Sequence, residues 1–466
     1  MITNYFFSYA LVHASRKTLS TVKPSLITEW TDNSTGEQPV FPDEHSAEQF
    51  LALLDGSFLV AYAVGLYLGG TLGDHYDPTK VLACGMWASA VTVFLFGILK
   101  WLPFHSPAFY ALTWIACGLF QSVAWPTEIS IMGSWFGHNS RGAVLGLWSS
   151  CASIGNIIGT LVSSHTIQLG YEYSFVANAC SLFFGAFFIF FCLSPHPIEH
   201  GRDAVISDTN DAETPKAISI FRAWCLPGVL AYSLAYACLK LVNYSLFFWL
   251  PFYLHAHYEW EESVADAFST WFDLGGIIAA VLIGIASDHF SSRTPILIFM
   301  LFLSMGSLFI YANSPNDVLV NSFLMALTGF FVGGPSNLIS SAVATDLGEA
   351  GEIRGSARAL STVTGIIDGT GSIGAGIGQL LIPKIEASFG WIAVFYGFIV
   401  MMFWAILCLI PLLWKELISR SRPRYVHLHT GRSEDSSESY SDNISDSGIA
   451  KVEAAIGVRH RNSPDS

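Results

Sequence analysis

The stretch Gly70-Thr71-Leu72-Gly73-Asp74-His75 closes one apolar span and returns as Gly284-Ile285-Ala286-Ser287-Asp288-His289 at the end of another. A base follows each copy, Lys80 after the first and Arg293 after the second. Around them, apolar stretches of roughly 18 to 28 residues recur near 4–26, 50–73, 81–99, 107–131, 142–165 and 173–193, then near 223–254, 264–287, 295–312, 319–345, 356–382 and 388–414. The two copies end the second and the eighth of these spans, equivalent places in two sets of six. Duplication of a six-helix unit marks carriers whose site lies between the halves at the membrane midplane. The expected fold is an all-α membrane protein of twelve transmembrane helices in two six-helix halves, 1–193 and 223–414. A polar cytosolic linker, 194–222, joins them, and a Ser-rich, acidic tail, 415–466, reads as disordered.

Composition agrees. With 466 residues, 52% hydrophobic and 12% charged, the chain has too little polar surface to cover a soluble globule of its size. The net charge of -14 lies largely in loops and linker, so no nucleic-acid partner is expected and the substrate's charge is set inside the cavity. All eight cysteines fall in or beside spans, which leaves no loop disulfide framework. Most of the 22 Lys and Arg residues sit on the linker side or in the tail, which places both termini in the cytosol by the positive-inside rule. Lys23, Lys100 and Lys384 border the opposite side. There the loop 27–49 carries six acids and the sequon Asn33-Ser34-Thr35, a glycosylation site if that side is lumenal. No cleavable signal peptide is visible, and the first span, starting almost at Met1, reads as a shortened start barely long enough to cross.

Arg16 and Lys17 interrupt the first span, where each charge costs roughly 2.5–3.5 kcal/mol at bilayer depth. Such residues persist with a partner, a wet cavity or a ligand. The planar fork of Arg16 suits phosphate oxygens and does not deprotonate, so Arg16 is the expected clamp of the first half, against the plainer reading of an ion pair steadying the helix. Lys17 lies about 100 degrees round the helix, so the two bases cannot face one ligand equally; Lys17 is a second, lower-ranked substrate-binding candidate. Tyr9 and His13 share the face of Arg16; either donates to substrate oxygens or serves as packing. In the second half Lys240 is the base inside a span and is taken to mirror Arg16 across the repeat. Asp368 in the eleventh span either pairs with Lys240 until substrate arrives or simply neutralises it. Asp55, Glu128 and Asp273, nearer span ends, read as solvated or gate-pairing. Gly369-Thr370-Gly371-Ser372-Ile373-Gly374 fits Gly-x-Gly-x-x-Gly without the strand that motif requires, so its glycines are read as helix contacts. His255 and His257 are weak metal candidates, and no metal or cofactor is expected.

Gly70, Leu72 and Asp74 match the loop pattern between helices 2 and 3 of the major facilitator superfamily, which the chain resembles; His75, Asp77 and Pro78 depart from it. A fuller resemblance runs from Tyr9 to about Trp414. Arg16-Lys17, Pro24, Trp125-Pro126, Trp135-Phe136, Arg141-Gly142, Trp148, Gly155-Asn156 and Asp368-Gly369-Thr370-Gly371-Ser372 are similar to the organophosphate:phosphate antiporter group. Leu239-Lys240-Leu241-Val242-Asn243-Tyr244-Ser245, Trp249-Leu250-Pro251 and Ser314-Pro315-Asn316-Asp317 resemble the eukaryotic exchangers of solute carrier family 37. The resemblance implies phosphate binding by Arg16, with Asp74, Asp288 and Arg141 in charge pairs or gates. Bacterial members carry a second Arg where Asn243 stands and a His where Ala152 stands, so Asn243 is expected to donate its amide with Lys240 one turn away.

The expected activity is exchange of a sugar phosphate-like organophosphate for inorganic phosphate by alternating access, with no bond-making chemistry. Two rivals stay open: proton-coupled or facilitated transport of another phosphorus anion such as a phosphonate, and a weakly transporting scaffold or subunit with a membrane partner. The resemblance implies the endoplasmic reticulum membrane, with the lysosomal membrane as the alternative.

Overall fold

The computed structural model describes residues 2–33, 39–101, 106–135, 141–192, 220–289, 292–348 and 357–421, without side-chain placement for 2–3, 69–75, 130, 133–135, 141–143, 192, 357–359 and 419–421. Sixteen α-helices are found among them. The first nine are α1 (Ile2–Thr21), α2 (Lys23–Thr31), α3 (Glu44–His75), α4 (Pro78–Ile98), α5 (Pro107–Gln121), α6 (Ala124–Trp135), α7 (Arg141–Ser149), α8 (Cys151–Thr166) and α9 (Tyr171–Cys192). Then follow α10 (Ile220–Trp224), α11 (Val229–Tyr258), α12 (Glu262–Asp288), α13 (Thr294–Ala312), α14 (Val318–Leu338), α15 (Ala344–Gly348) and α16 (Ala357–Ser421).

Among the described residues, ten helical stretches are long and apolar enough to cross a membrane. One of them, Leu360–Ile418, is 59 residues long and breaks at Gly390, whose φ of 77 only glycine adopts readily; it supplies two crossings. The first expected span, α1 with α2, falls outside the ten because Arg16, Lys17 and Lys23 dilute it, and it completes the twelve. Outward-facing Phe184, Phe187 and Phe191 along α9 suit contact with lipid.

Proline and serine explain the internal breaks. Pro24 enters the first turn of α2, and without its N–H the chain restarts there after Val22. Ser122 Oγ donates to Leu119 O and Ser150 Oγ to Leu147 O, each at 2.6 Å, where α5 yields to α6 and α7 to α8. Past Gly333-Gly334-Pro335, α14 passes into a π-helical turn, Ile339–Val343.

Glycine contacts show the duplication in three dimensions. A Cβ on Gly118 would strike the carbonyl of Phe58, and one on Gly329 would strike that of Phe272. Gly155 and Gly159 meet the backbone of Ala10 and Ala14; at matching places in the second half Gly374 meets the backbone of Ala237 and Gly378 the side chain of Leu241. In this register Arg16 falls opposite Asn243 and Lys240 opposite His13. The expectation that Lys240 mirrors Arg16 is thus corrected: the repeat does not supply one cation per half at equivalent places. The glycines of Gly369–Gly374 pack against Tyr67, Tyr236 and Ala237, which accounts for them as helix contacts.

A Gly118→Ala carrier is expected to unfold several degrees lower in detergent than the unaltered protein, because the added methyl has no space against the Phe58 carbonyl. Gly306→Ala, where nothing lies within 4 Å, is expected to be neutral or stabilising by up to about 1 kcal/mol. Thermal unfolding of both variants checks the pair.

Candidate functional site

A cavity of about 680 Å³, counting its open mouth, lies between the first-half helices α1, α6, α7 and α8 and the second-half helices α11, α12, α14 and α16. Tyr9, His13, Asn243, Asp273 and Asp368 are on its wall. Arg16, Lys17 and Lys240 are not; they lie immediately behind it.

Arg16 is fully buried. Its Nε donates to Gln121 Oε1 at 3.1 Å and its Nη1 to the hydroxyl of Tyr244 at 2.9 Å. Nη2 is enclosed and makes no hydrogen bond of good geometry, with the Tyr62 hydroxyl its nearest polar neighbour on that side. No carboxylate pairs with Arg16 among the described residues, so the ion-pair reading of this residue has no support. The guanidinium carbon lies 4.7 Å from the centre of the Tyr62 ring and 5.3 Å from that of Phe58, whose electron-rich faces offset part of the buried charge.

Lys240 faces the same two tyrosines, 5.5 Å from the Tyr62 ring centre and 4.9 Å from that of Tyr244. The two cations therefore converge on one aromatic pair across the seam. Lys240 is also paired: Nζ meets Asp368 Oδ1 at 2.6 Å and Ser372 Oγ at 2.8 Å. Ser372 Oγ in turn donates to Asp368 O at 2.9 Å, which holds the cluster to one turn of α16. Asp368 fills its pairing role here, and bare repulsion between two free cations is absent.

Lys17 turns away, as the helical angle requires. Its Nζ donates to Phe247 O at 2.5 Å, and Ser20 Oγ donates to the same carbonyl at 2.8 Å. That carbonyl is available because Pro251, four residues on, has no N–H to return to it. A proline in α11 is thus answered by a lysine and a serine of α1 across the seam. The expectation that Lys17 binds substrate is thus corrected: its Nζ is taken up by the Phe247 carbonyl, apart from the groups that hold Arg16.

Tyr9 and His13 do stack along α1, ring centres 4.9 Å apart, and Tyr9 lies 4.8 Å from Trp125, which is stacked on Trp148 at 5.2 Å. Trp125 Nε1 reaches Ser340 O in the π-helical turn at 3.3 Å. Asn243 Nδ2 donates to Ser336 Oγ at 3.2 Å on the opposite wall.

Away from the cavity, Asp288 lies 3.6 Å from Arg293, which also holds Asp346 at 2.6 Å. The side chains of Asp74 and Arg141 lie outside the described residues. Asn33 is exposed just beyond the end of α2; the remainder of its sequon lies outside the described residues. Of the two readings of Asp55, Glu128 and Asp273, the solvated one fails: Asp55 and Glu128 are fully enclosed and Asp273 is 6% exposed. Lys23 likewise is buried, not at a border. It pairs with Asp55 at 2.6 Å and lies 3.6 Å from the Trp249 ring centre, beside Ser25, whose hydroxyl donates to Glu262 at 2.8 Å. Helix α2 carries the chain onward past Lys23, so the residue stays inside.

Sequence reasoning missed Tyr62 and Gln121, single polar groups in apolar spans with no pattern to mark them. Tyr244 and Asn156 stood within the motifs quoted above, unremarked.

The model of the Major Facilitator Superfamily matches residues 5–363. The chain is 46% identical to sugar phosphate exchanger 3 of Homo sapiens over 464 residues, covering 91% of this chain and 94% of that protein. It is 46% identical to the exchanger of the same name from Xenopus laevis, over 88% of this chain and 91% of that one. A putative glycerol-3-phosphate transporter 5 of Arabidopsis thaliana is 36% identical over 88% of this chain and 90% of its own length. The chain belongs to the Major Facilitator Superfamily and, within it, to the sugar phosphate exchangers of solute carrier family 37. It is a multi-pass membrane transporter.

Replacing Lys23 alone, as Lys23→Met, leaves the Asp55 carboxylate buried without its cation and is expected to cost about 3–5 kcal/mol. Lys23→Met combined with Asp55→Leu is expected to recover most of that loss. A double-mutant cycle read by thermal unfolding checks it.

Proposed function

We propose that the protein exchanges a sugar phosphate-like organophosphate for inorganic phosphate by alternating access, with Arg16 as the phosphate clamp. The supporting observation is a buried guanidinium without an acid partner among the described residues, with an Nη2 that lacks a well-formed hydrogen bond, next to a cavity. A charge-assisted donor left idle in an apolar interior is costly, and a phosphate oxygen is the acceptor it lacks. The Tyr244 hydroxyl occupies Nη1 meanwhile, and substrate takes its place. Lys240 then turns from Asp368 toward the phosphate, and Asn243 donates its amide from the position opposite Arg16. The names of the relatives, sugar phosphate exchangers and glycerol-3-phosphate transporters, support the substrate class.

In this reading the two halves, 1–193 and 223–414, rock about the cavity. The empty carrier is held by the Lys17 and Ser20 contacts to Phe247 and by the Lys240–Asp368 pair. The loaded carrier gains an anion in place of Asp368 and exchanges its facing, which favours antiport over uniport. Residence in the endoplasmic reticulum membrane with both termini cytosolic is part of the proposal, with the lysosomal membrane as the alternative.

Counterflow into phosphate-loaded proteoliposomes tests the reading, with labelled glycerol phosphate and glucose 6-phosphate outside. Arg16→Ala is expected to reduce exchange about 30-fold or more, and Arg16→Lys about tenfold, because an ammonium has no planar fork. Absence of counterflow in the unaltered protein sinks the exchange reading and leaves the scaffold. For topology, a mobility shift on deglycosylation that disappears in Asn33→Gln is the expected result; an unshifted protein places loop 27–49 on the cytosolic side.

A further inference from the structure

Asp273 of α12 lies on the cavity wall and accepts from Asn156 Nδ2 of α8 at 2.6 Å. Asn156 Oδ1 lies 2.9 Å from His13 Nδ1 of α1. The carboxylate accepts only, so it takes the amide N–H; this turns Oδ1 toward His13 and makes Nδ1 the donor. Nε2 of the neutral ring is then an acceptor. All three side chains are at most 6% exposed, and all three line the cavity. Phosphate held by Arg16 makes no use of them, because a phosphate dianion also only accepts.

We propose that Asp273, with Asn156 and His13, is the subsite for the organic part of the substrate: it takes hydroxyl groups as hydrogen-bond donors and turns away a second anion. The inference rests on the organophosphate reading above and deepens it. Two acceptors on one wall suit vicinal hydroxyls, while a carboxylate on the substrate would meet the Asp273 carboxylate in a confined space. A site built around hydrogen bonds to substrate hydroxyls discriminates strongly against analogues that lack them, since its own buried groups are then left unpaired. Across the cavity, Asn243 and Ser336 add amide and hydroxyl groups of matching character.

The experiment measures uptake of labelled phosphate into phosphate-loaded proteoliposomes, competed by glucose 6-phosphate, its deoxy analogues and 3-phosphoglycerate. With the unaltered protein, glucose 6-phosphate is expected to compete well, each deoxy analogue that loses a bonded hydroxyl about tenfold less well, and 3-phosphoglycerate poorly. Asp273→Asn is expected to shift glucose 6-phosphate against phosphate by about tenfold and to narrow the gap between glucose 6-phosphate and 3-phosphoglycerate. The deoxy series needs no variant, so it decides even if Asp273→Asn does not fold. Equal competition by all analogues overturns the subsite and leaves antiport standing. An Asp273→Asn carrier with unchanged selectivity and no response to a pH gradient overturns it in favour of a proton carrier. A protein that takes up glucose 6-phosphate but no phosphate ends the counter-exchange reading instead. The subsite is then read from glucose 6-phosphate protection against thermal unfolding, which the deoxy analogues must fail to match.

Discussion

The cost of keeping a guanidinium in an apolar interior governs this molecule. Arg16 has surrendered its water, and what replaces it is deliberately incomplete: one amide oxygen, one phenol hydroxyl and two aromatic faces. A carboxylate in contact would have stabilised the charge and removed its attraction for a ligand. Lys240 shows the other solution, since Asp368 and Ser372 satisfy it fully. The arrangement is therefore asymmetric: one cation stands without an acid among the described residues, and the other is paired with Asp368.

That asymmetry sits on a symmetric scaffold. Glycines at matching places let α1 and α8 approach as α11 and α16 do, and α3 and α5 approach as α12 and α14 do. Close backbone contact fixes the register of each half without demanding charge. The seam between halves relies on polar contacts of another kind, such as the Phe247 carbonyl freed by Pro251 and claimed by Lys17 and Ser20. Contacts of that size are easier to exchange for others than the glycine packing within each half.

The paired Gly-x3-Asp-His stretches and the recurring apolar runs made the twelve-helix architecture readable, and bilayer energetics singled out Arg16 and Lys240. The equivalence of Lys240 with Arg16 was misread, because both are bases in the first helix of a half and sequence carries no register between distant helices. Packing of Gly374 on Ala237 against Gly155 on Ala10 supplies that register and puts Asn243 opposite Arg16. Lys23 was misplaced, and the solvated reading of Asp55 and Asp273 failed, for a related reason: nearness to a span end was taken for nearness to solvent, and α2, α3 and α12 continue past them.

Hydrophobic length and the expense of buried charge are local properties of a chain, so the sequence alone determined the membrane class, the duplication and the cations. Which groups face one another depends on helix rotation and on contacts between residues more than a hundred positions apart, such as Asn156 with Asp273 and Arg16 with Tyr244. Only the folded packing decided that Arg16 would stand without an acid, that Asp368 would answer Lys240, and that His13, Asn156 and Asp273 would line a common wall.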